Sequence, residues 1–124
     1  MQILVPVSLG ELYDKLSILE IKTERIDDEE KLKHVRKEFD QLSEVASKYP
    51  ISDDEYEDLL NINNALWGIE DNIREKERRK EYDEIFIKLA QAVYFQNDER
   101  SIIKRRINEN HGSELVEVKS YKEY

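Results

Sequence analysis

Arg100, Lys104 and Asn108 recur every four residues near the end of the chain, with His111 three further on, so a helix would align them on one side. Arg offers a planar fork of donors, Lys a point charge and Asn an orienting amide, a set suited to phosphate or carboxylate. Asn97 and Asp98 stand just before them. A second set, Trp67, Glu70, Asp71 and Arg74, has the i, i+3, i+4, i+7 spacing of a helix face. There an indole could stack on a sugar or base while a carboxylate binds a hydroxyl or acts as general base. Together the two sets outline a candidate anion-binding cleft between the third and last helices. Each also has a plainer role open to it. The basic stripe could be a solvated face or ion-paired across the bundle, and Trp67 a core residue flanked by surface carboxylates.

Other chemistry finds little in the sequence. Carboxylates at i, i+3 (Glu11 with Asp14, Glu24 with Asp27, Glu55 with Asp58, Glu81 with Glu84) have the spacing by which all-α nucleotide pyrophosphohydrolases hold Mg²⁺. In so acidic a chain about six or seven such pairs arise by chance, so they assign no metal. His34 and His111 form neither H-x-x-x-H nor H-E-x-x-H, which leaves zinc without support. Cys is absent, which excludes thiol catalysis and disulfides. No P-loop, dinucleotide fingerprint or nucleophile elbow is present, and no motif specifies a cofactor. With three glycines there is little backbone to cradle phosphate, apart from the helix N-terminus expected at Asn97 to Ser101. A formal charge of -9 repels polyphosphate and argues against nucleic-acid binding. The longest apolar run, Ile3 to Val7, is interrupted by Pro6 and too short for a membrane span or signal segment, so a soluble cytoplasmic protein is expected.

The elements that must position these residues follow from periodicity. The 124 residues suffice for one core, read as a single helical domain over 1–124. β-branched "QILVPV" predicts a short strand, and Ser8 with Glu11 a capping box that opens the first helix. On that helix Leu9, Leu12, Leu16, Leu19 and Ile26 share a stripe, while Ile18 and Ile21 lie nearly opposite, which predicts burial on two faces. A box at Asp27 and Glu30 opens a second, antiparallel helix carrying Leu32, Val35, Phe39, Leu42, Ala46 and Tyr49 up to Pro50. Ser52 and Glu55 open a third, with Tyr56, Leu59, Ile62, Leu66, Ile69 and Ile73 as its stripe. The next apolar set, Tyr82, Ile85, Phe86, Leu89 and Val93, is turned by about half a turn. Either a turn falls near residues 76–82, or residues 53–95 form one helix whose halves bury against different partners. Asn97 or Asp98 would cap a final helix with Ile102, Ile103 and Ile107, closed at Gly112. "ELVEV" alternates as a half-buried strand does, and would pair with "ILVPV". The expected class is all-α: an antiparallel bundle of four to five helices with a minor two-stranded pairing of the N- and C-terminal segments. The second apolar face of helix one and the mismatch after Ile73 point to a homodimer.

Four stretches, "VPVSLGELYDKLSILEIK", "LWGIEDNIREKE", "AVYFQNDERSIIKRRIN" and "GSELVEVKSY", resemble a small family of uncharacterised bacterial and phage proteins, a domain of unknown function. The resemblance spans nearly the whole chain and implies a compact helical domain in surface-polysaccharide or glycosyltransferase gene neighbourhoods. It also implies a basic residue where this chain has Gln91, which would weaken any anion site using that position. The expected function is a binding or accessory module, linked to surface-polysaccharide biosynthesis, that takes a phosphate-bearing small molecule. The alternative is a small enzyme acting on a nucleotide sugar or sugar phosphate. In it Arg100 and Lys104 hold the phosphate, Trp67 stacks, and Asp71 or Glu70 is the base.

Overall fold

Short polar side chains set where each helix begins. α1 (Leu9–Arg25) starts at Ser8, whose hydroxyl accepts from the Glu11 N–H at 3.1 Å. α2 (Glu29–Ala46) starts at Asp28, which accepts from the Lys31 N–H at 3.0 Å, one residue beyond the box expected at Asp27. α3 (Asp53–Arg78) has the full reciprocal box of Ser52 and Glu55. α4 (Glu84–His111) is capped by Asp83 and closed by Gly112 in the left-handed region at φ 65°. The structure, a computed structural model, describes residues 1–124 as these four helices and their connections, with no strand. No helix is long and apolar enough to cross a membrane.

One boundary takes an expected form and another does not. The turn after α3 takes the first of the two readings left open. Lys80 adopts φ 56°, the Glu81 N–H returns to the Lys76 carbonyl at 3.0 Å, and the Lys80 N–H to that of Glu77 at 3.0 Å. Lys76 then clasps Glu81 at 2.9 Å and Asp83 at 2.8 Å, which fixes the reversal before α4. No helix begins at Asn97 or Asp98, and the N-terminal anion site expected at Asn97 to Ser101 does not exist. Nothing between Glu84 and His111 breaks a helix, and neither side chain is left to cap one. The Asn97 amide oxygen accepts from Arg100, and the Asp98 carboxylate from the Tyr124 hydroxyl.

α1 lies against each of the other three helices and α3 lies against α4, while α2 is backed by α1 alone. Side-chain contacts give the directions. Tyr13 reaches Ala46 and Lys15 reaches Glu38, so α1 and α2 are antiparallel. Tyr13 meets Tyr56 and Arg25 meets Trp67, so α1 and α3 run the same way. Glu55 meets His111 and Asn63 meets Arg100, so α4 opposes α3. The core joins Leu12, Tyr13 and Leu16 of α1 to Ala46, Leu59 and Ile107 from the three other helices. A fully buried aliphatic side chain of this kind contributes about 1.5–3 kcal/mol. The Tyr13 hydroxyl lies 2.9 Å from the Ala46 carbonyl, which also accepts from the Tyr49 N–H, and 2.8 Å from the Tyr49 carbonyl, sharing its proton between two acceptors just at and beyond the end of α2. Both faces of α1 are used within the chain. Ile21 is 1% exposed, so its burial needs no second copy.

The two terminal segments do not pair. They leave from neighbouring points, since the Leu9 N–H donates to the Ser113 hydroxyl at 3.1 Å, and then diverge. The C-terminal segment runs back along α4, held by Glu117 on Lys104 at 2.7 Å and by Tyr124 packed against Tyr94 and Phe95. The N-terminal segment lies by α1 and α2, where Gln2 donates to Gln41 at 3.4 Å and Leu4 stays 87% exposed. Lys104 draws the C-terminal segment toward α4, which outweighs the alternating pattern that favours a strand.

Helices α1 and α4 pass close to each other at Gly10, where a Cβ would lie 2.5 Å from the Lys104 carbonyl oxygen. Gly10→Ala should force the helices apart and cost about 1–3 kcal/mol, the usual cost of overpacking. Gly68→Ala meets nothing within 4 Å and should stabilise α3 by about 0.5–1 kcal/mol. Urea midpoints of the two variants should move in opposite directions. At the C-terminal end of α4, burial pushes Glu55 up, but bonds from His111, Asn110 and Ser52 outweigh it and hold the carboxyl at about 2, against an ordinary value of 4.5. Its stabilisation is complete above about pH 4.5 and is lost as pH falls toward 2. The stability gap between wild type and Glu55→Gln, followed by urea unfolding from pH 6 downward, should narrow over that interval.

Candidate functional site

The polar residues of the interior are built around Lys104, which α4 turns toward α1. Its ammonium lies 2.7 Å from Glu11, 2.7 Å from Glu117 and 3.8 Å from Asp14. Burial works against the charge, but the bonds to Glu11 and Glu117 and the field of Asp14 outweigh it and raise the Lys104 pKa. Lys104 in turn holds Glu117 below the usual carboxylate range. Glu11 is thus diverted from the capping box expected with Ser8, which keeps only its hydroxyl half. Asn108 is 2% exposed and accepts from the Gly10 N–H at 2.7 Å, satisfying a donor that the first turn of α1 would otherwise bury unpaired. Lys104 and Asn108 therefore lock α4 to α1 and do not share a cleft with Arg100. A residue four positions on is rotated by about 40° along a helix, enough to move from the α3 side to the α1 side.

Asn63 of α3 carries the network onward. Its amide nitrogen donates to Asp14 at 2.8 Å and to the Ser17 hydroxyl at 2.8 Å, which turns its oxygen toward Arg100 at 3.0 Å. Ser17 passes its own proton to the Asp14 carbonyl at 2.7 Å. No buried side-chain polar atom lacks a partner. Neither Asn63 nor Asp14 stands out by spacing to a ligand. Their signal is a polar residue within an apolar stripe, Asn63 between Leu59 and Leu66 and Asp14 between Leu12 and Leu16.

Beyond Asn63 a cavity of about 450 Å³ opens between α3 and α4, with Ile18 of α1 and Leu66 as its apolar lining. That volume lies within the range of small-molecule sites, roughly 300–1,000 Å³. Trp67, Glu70, Asp71, Arg74, Asn97 and Arg100 also line it. Trp67 carries the Arg25 guanidinium 5.7 Å from its ring centroid. Glu70 is taken by Arg74, one turn on, at 3.0 Å. Arg100 forms no ion pair across the bundle with Glu70 or Asp71. Arg100 donates instead to two amide oxygens, Asn63 at 3.0 Å and Asn97 at 2.8 Å. It bonds no carboxylate, and its remaining N–H groups have no protein acceptor. Asp98 lies on another side of α4, against Tyr124, whose hydroxyl it pushes up to about 12. His111 pairs with Glu55 at 2.8 Å, far along α4 from Arg100. Arg105 is exposed. No three of the His, Asp and Glu side chains are grouped to hold a metal ion.

Asn63→Leu removes the one group that bonds Asp14, Ser17 and Arg100 together. It should cost about 1–3 kcal/mol by leaving the buried Asp14 and Ser17 oxygens short of a donor, measured as a fall in urea midpoint.

No curated protein and no solved structure matches this chain. The profile of a family of unknown function, DUF6165, matches residues 3–124, all but the first two positions. The buried Lys104 and Asn63 network and the cavity beside it thus lie wholly within the matched region, and the chain belongs to the DUF6165 family.

Proposed function

We propose that the chain is a helical binding module whose α3–α4 cavity takes a phosphate-bearing small molecule, with Arg100 as the anion donor. The observation that carries the reading is the state of Arg100. It is half-buried, held in place by two neutral amides, and left with its charge uncompensated by any bonded carboxylate. A guanidinium oriented this way can bind a phosphate in forked fashion without first breaking an ion pair. Trp67 offers an apolar face on the opposite helix, and Asp71 an acceptor for a hydroxyl. A sugar phosphate or nucleotide sugar, of the kind consumed in surface-polysaccharide biosynthesis, combines those features. A catalytic role for Glu70 or Asp71 gains no such support, because both are exposed and Glu70 is already paired with Arg74.

Thermal unfolding with glucose 1-phosphate and UDP-glucose tests the assignment. Ligand at a hundred times its Kd should stabilise the wild type by about 2.7 kcal/mol. Arg100→Gln should abolish the ligand-induced shift, while Arg105→Gln should keep it and change intrinsic stability by no more than about 0.5 kcal/mol. Equal shifts in both variants would remove Arg100 from the site.

A further inference from the structure

The C-terminal segment builds a second chamber on the far side of Arg100. Residues 119–124 fold back over α4 and border a half-open cavity of about 770 Å³, lined among others by Tyr94, Tyr121, Tyr124, Lys119 and Lys122. Asn97 and Arg100 line this chamber and the α3–α4 cavity alike, so the guanidinium stands where the two meet. The chamber differs in character from the rest of a strongly acidic surface. Arg100, Lys119 and Lys122 outnumber Asp98 and Glu123 along its walls. Asp98 is turned to the Tyr124 hydroxyl, and Lys119 stands 5.5 Å from the centroid of the Tyr121 ring. Tyr94 and Tyr124 pack at 5.1 Å between centroids, and Tyr121 remains 79% exposed, with a ring face free to stack.

From this arrangement we infer that the ligand is two-ended: a diphosphate diester, its charge at Arg100 and Lys119, with one ring group toward Trp67 and the other against the tyrosines of the C-terminal segment. The inference rests on the anion site proposed above and extends it. A single phosphate with one substituent would fill only the α3–α4 cavity. Two aromatic walls on either side of one guanidinium suit a diphosphate bridging two rings, the class that includes nucleoside diphosphate sugars and dinucleotides. Arg100 and Lys119, the latter turning from its 3.9 Å contact with Glu117, would together match the two negative charges of such a bridge. Glu117 anchors the segment through Lys104, so the same buried cation that locks α4 to α1 also holds the second wall in place.

Isothermal titration calorimetry of the full chain with UDP-glucose and with glucose 1-phosphate separates the two ideas. The wild type should bind UDP-glucose at least tenfold more tightly than glucose 1-phosphate. The double substitution Tyr121→Ala with Lys119→Gln, at exposed or half-exposed positions, should erase that advantage and leave glucose 1-phosphate affinity within twofold. An unchanged thermal midpoint without ligand shows that the fold is intact. Arg100→Gln should weaken both ligands. If the wild type binds the two equally, or the double substitution leaves UDP-glucose binding unaltered, the second chamber is no part of the site, while the anion site at Arg100 stands. If neither ligand binds the wild type, the anion site fails and the two-ended ligand with it.

Discussion

The contact on which the rest of the structure depends is the close passage of α1 and α4 at Gly10. There the Lys104 carbonyl occupies the space a side chain would need, and the Lys104 ammonium reaches across to Glu11 and Asp14. A buried ammonium is costly by itself, several kcal/mol even after relaxation, and is tolerated only where carboxylates and good geometry meet it. Placing that cation on α4 and its counter-charges on α1 and Glu117 selects a single register between the two helices. A slip of one residue would leave Lys104 without partners and would also detach Asn108 from the Gly10 N–H.

From that fixed register the polar groups form one connected series. Glu117 bonds Lys104, Lys104 bonds Glu11 and faces Asp14, Asp14 accepts from Asn63, and Asn63 accepts from Arg100. The series begins at the C-terminal segment and ends at the cavity. Arg100 therefore takes its position from groups that are already satisfied, and spends only part of its donor capacity on them. Its bonded partners are neutral amides, so its charge is shared only through the field it exerts on Glu117, where a bonded carboxylate would have cancelled it. That difference separates a structural arginine from one set out for an anion.

Much of the helical framework could be read from the sequence because its signals are local. Ser8, Ser52 and Gly112 mark helix ends with one short bond or one backbone angle each, and the stripes through Leu12, Leu16, Leu59 and Leu66 reflect helical period alone. The two faces of α1 were legible for the same reason, although what covers them was not, since Ile21 is buried by this chain and needs no second copy. Local signals also misled. Asn97 and Asp98 resemble a cap, and "ELVEV" resembles a strand, because each pattern is read without the partner that claims it: Arg100, one turn on, and the distant Tyr124 in the first case, Lys104 in the second.

The cavity shows the same division. Trp67, Glu70, Asp71, Arg74, Asn97 and Arg100 come together because their spacings place them on facing sides of two antiparallel helices. Spacing could not show which of the basic residues keeps a free charge. Arg100 and Lys104 look alike in sequence, one turn apart, and their environments differ completely. Lys104 is 7% exposed and meets three carboxylates, whereas Arg100 meets two amides. The deciding residues are Asp14 and Asn63, polar groups set within apolar stripes. A carboxylate at position 63 would pair with Arg100 and repel Asp14 in the same buried space, and a leucine would release both. An amide is the side chain that can donate to the first and accept from the second, and it leaves the guanidinium both oriented and charged.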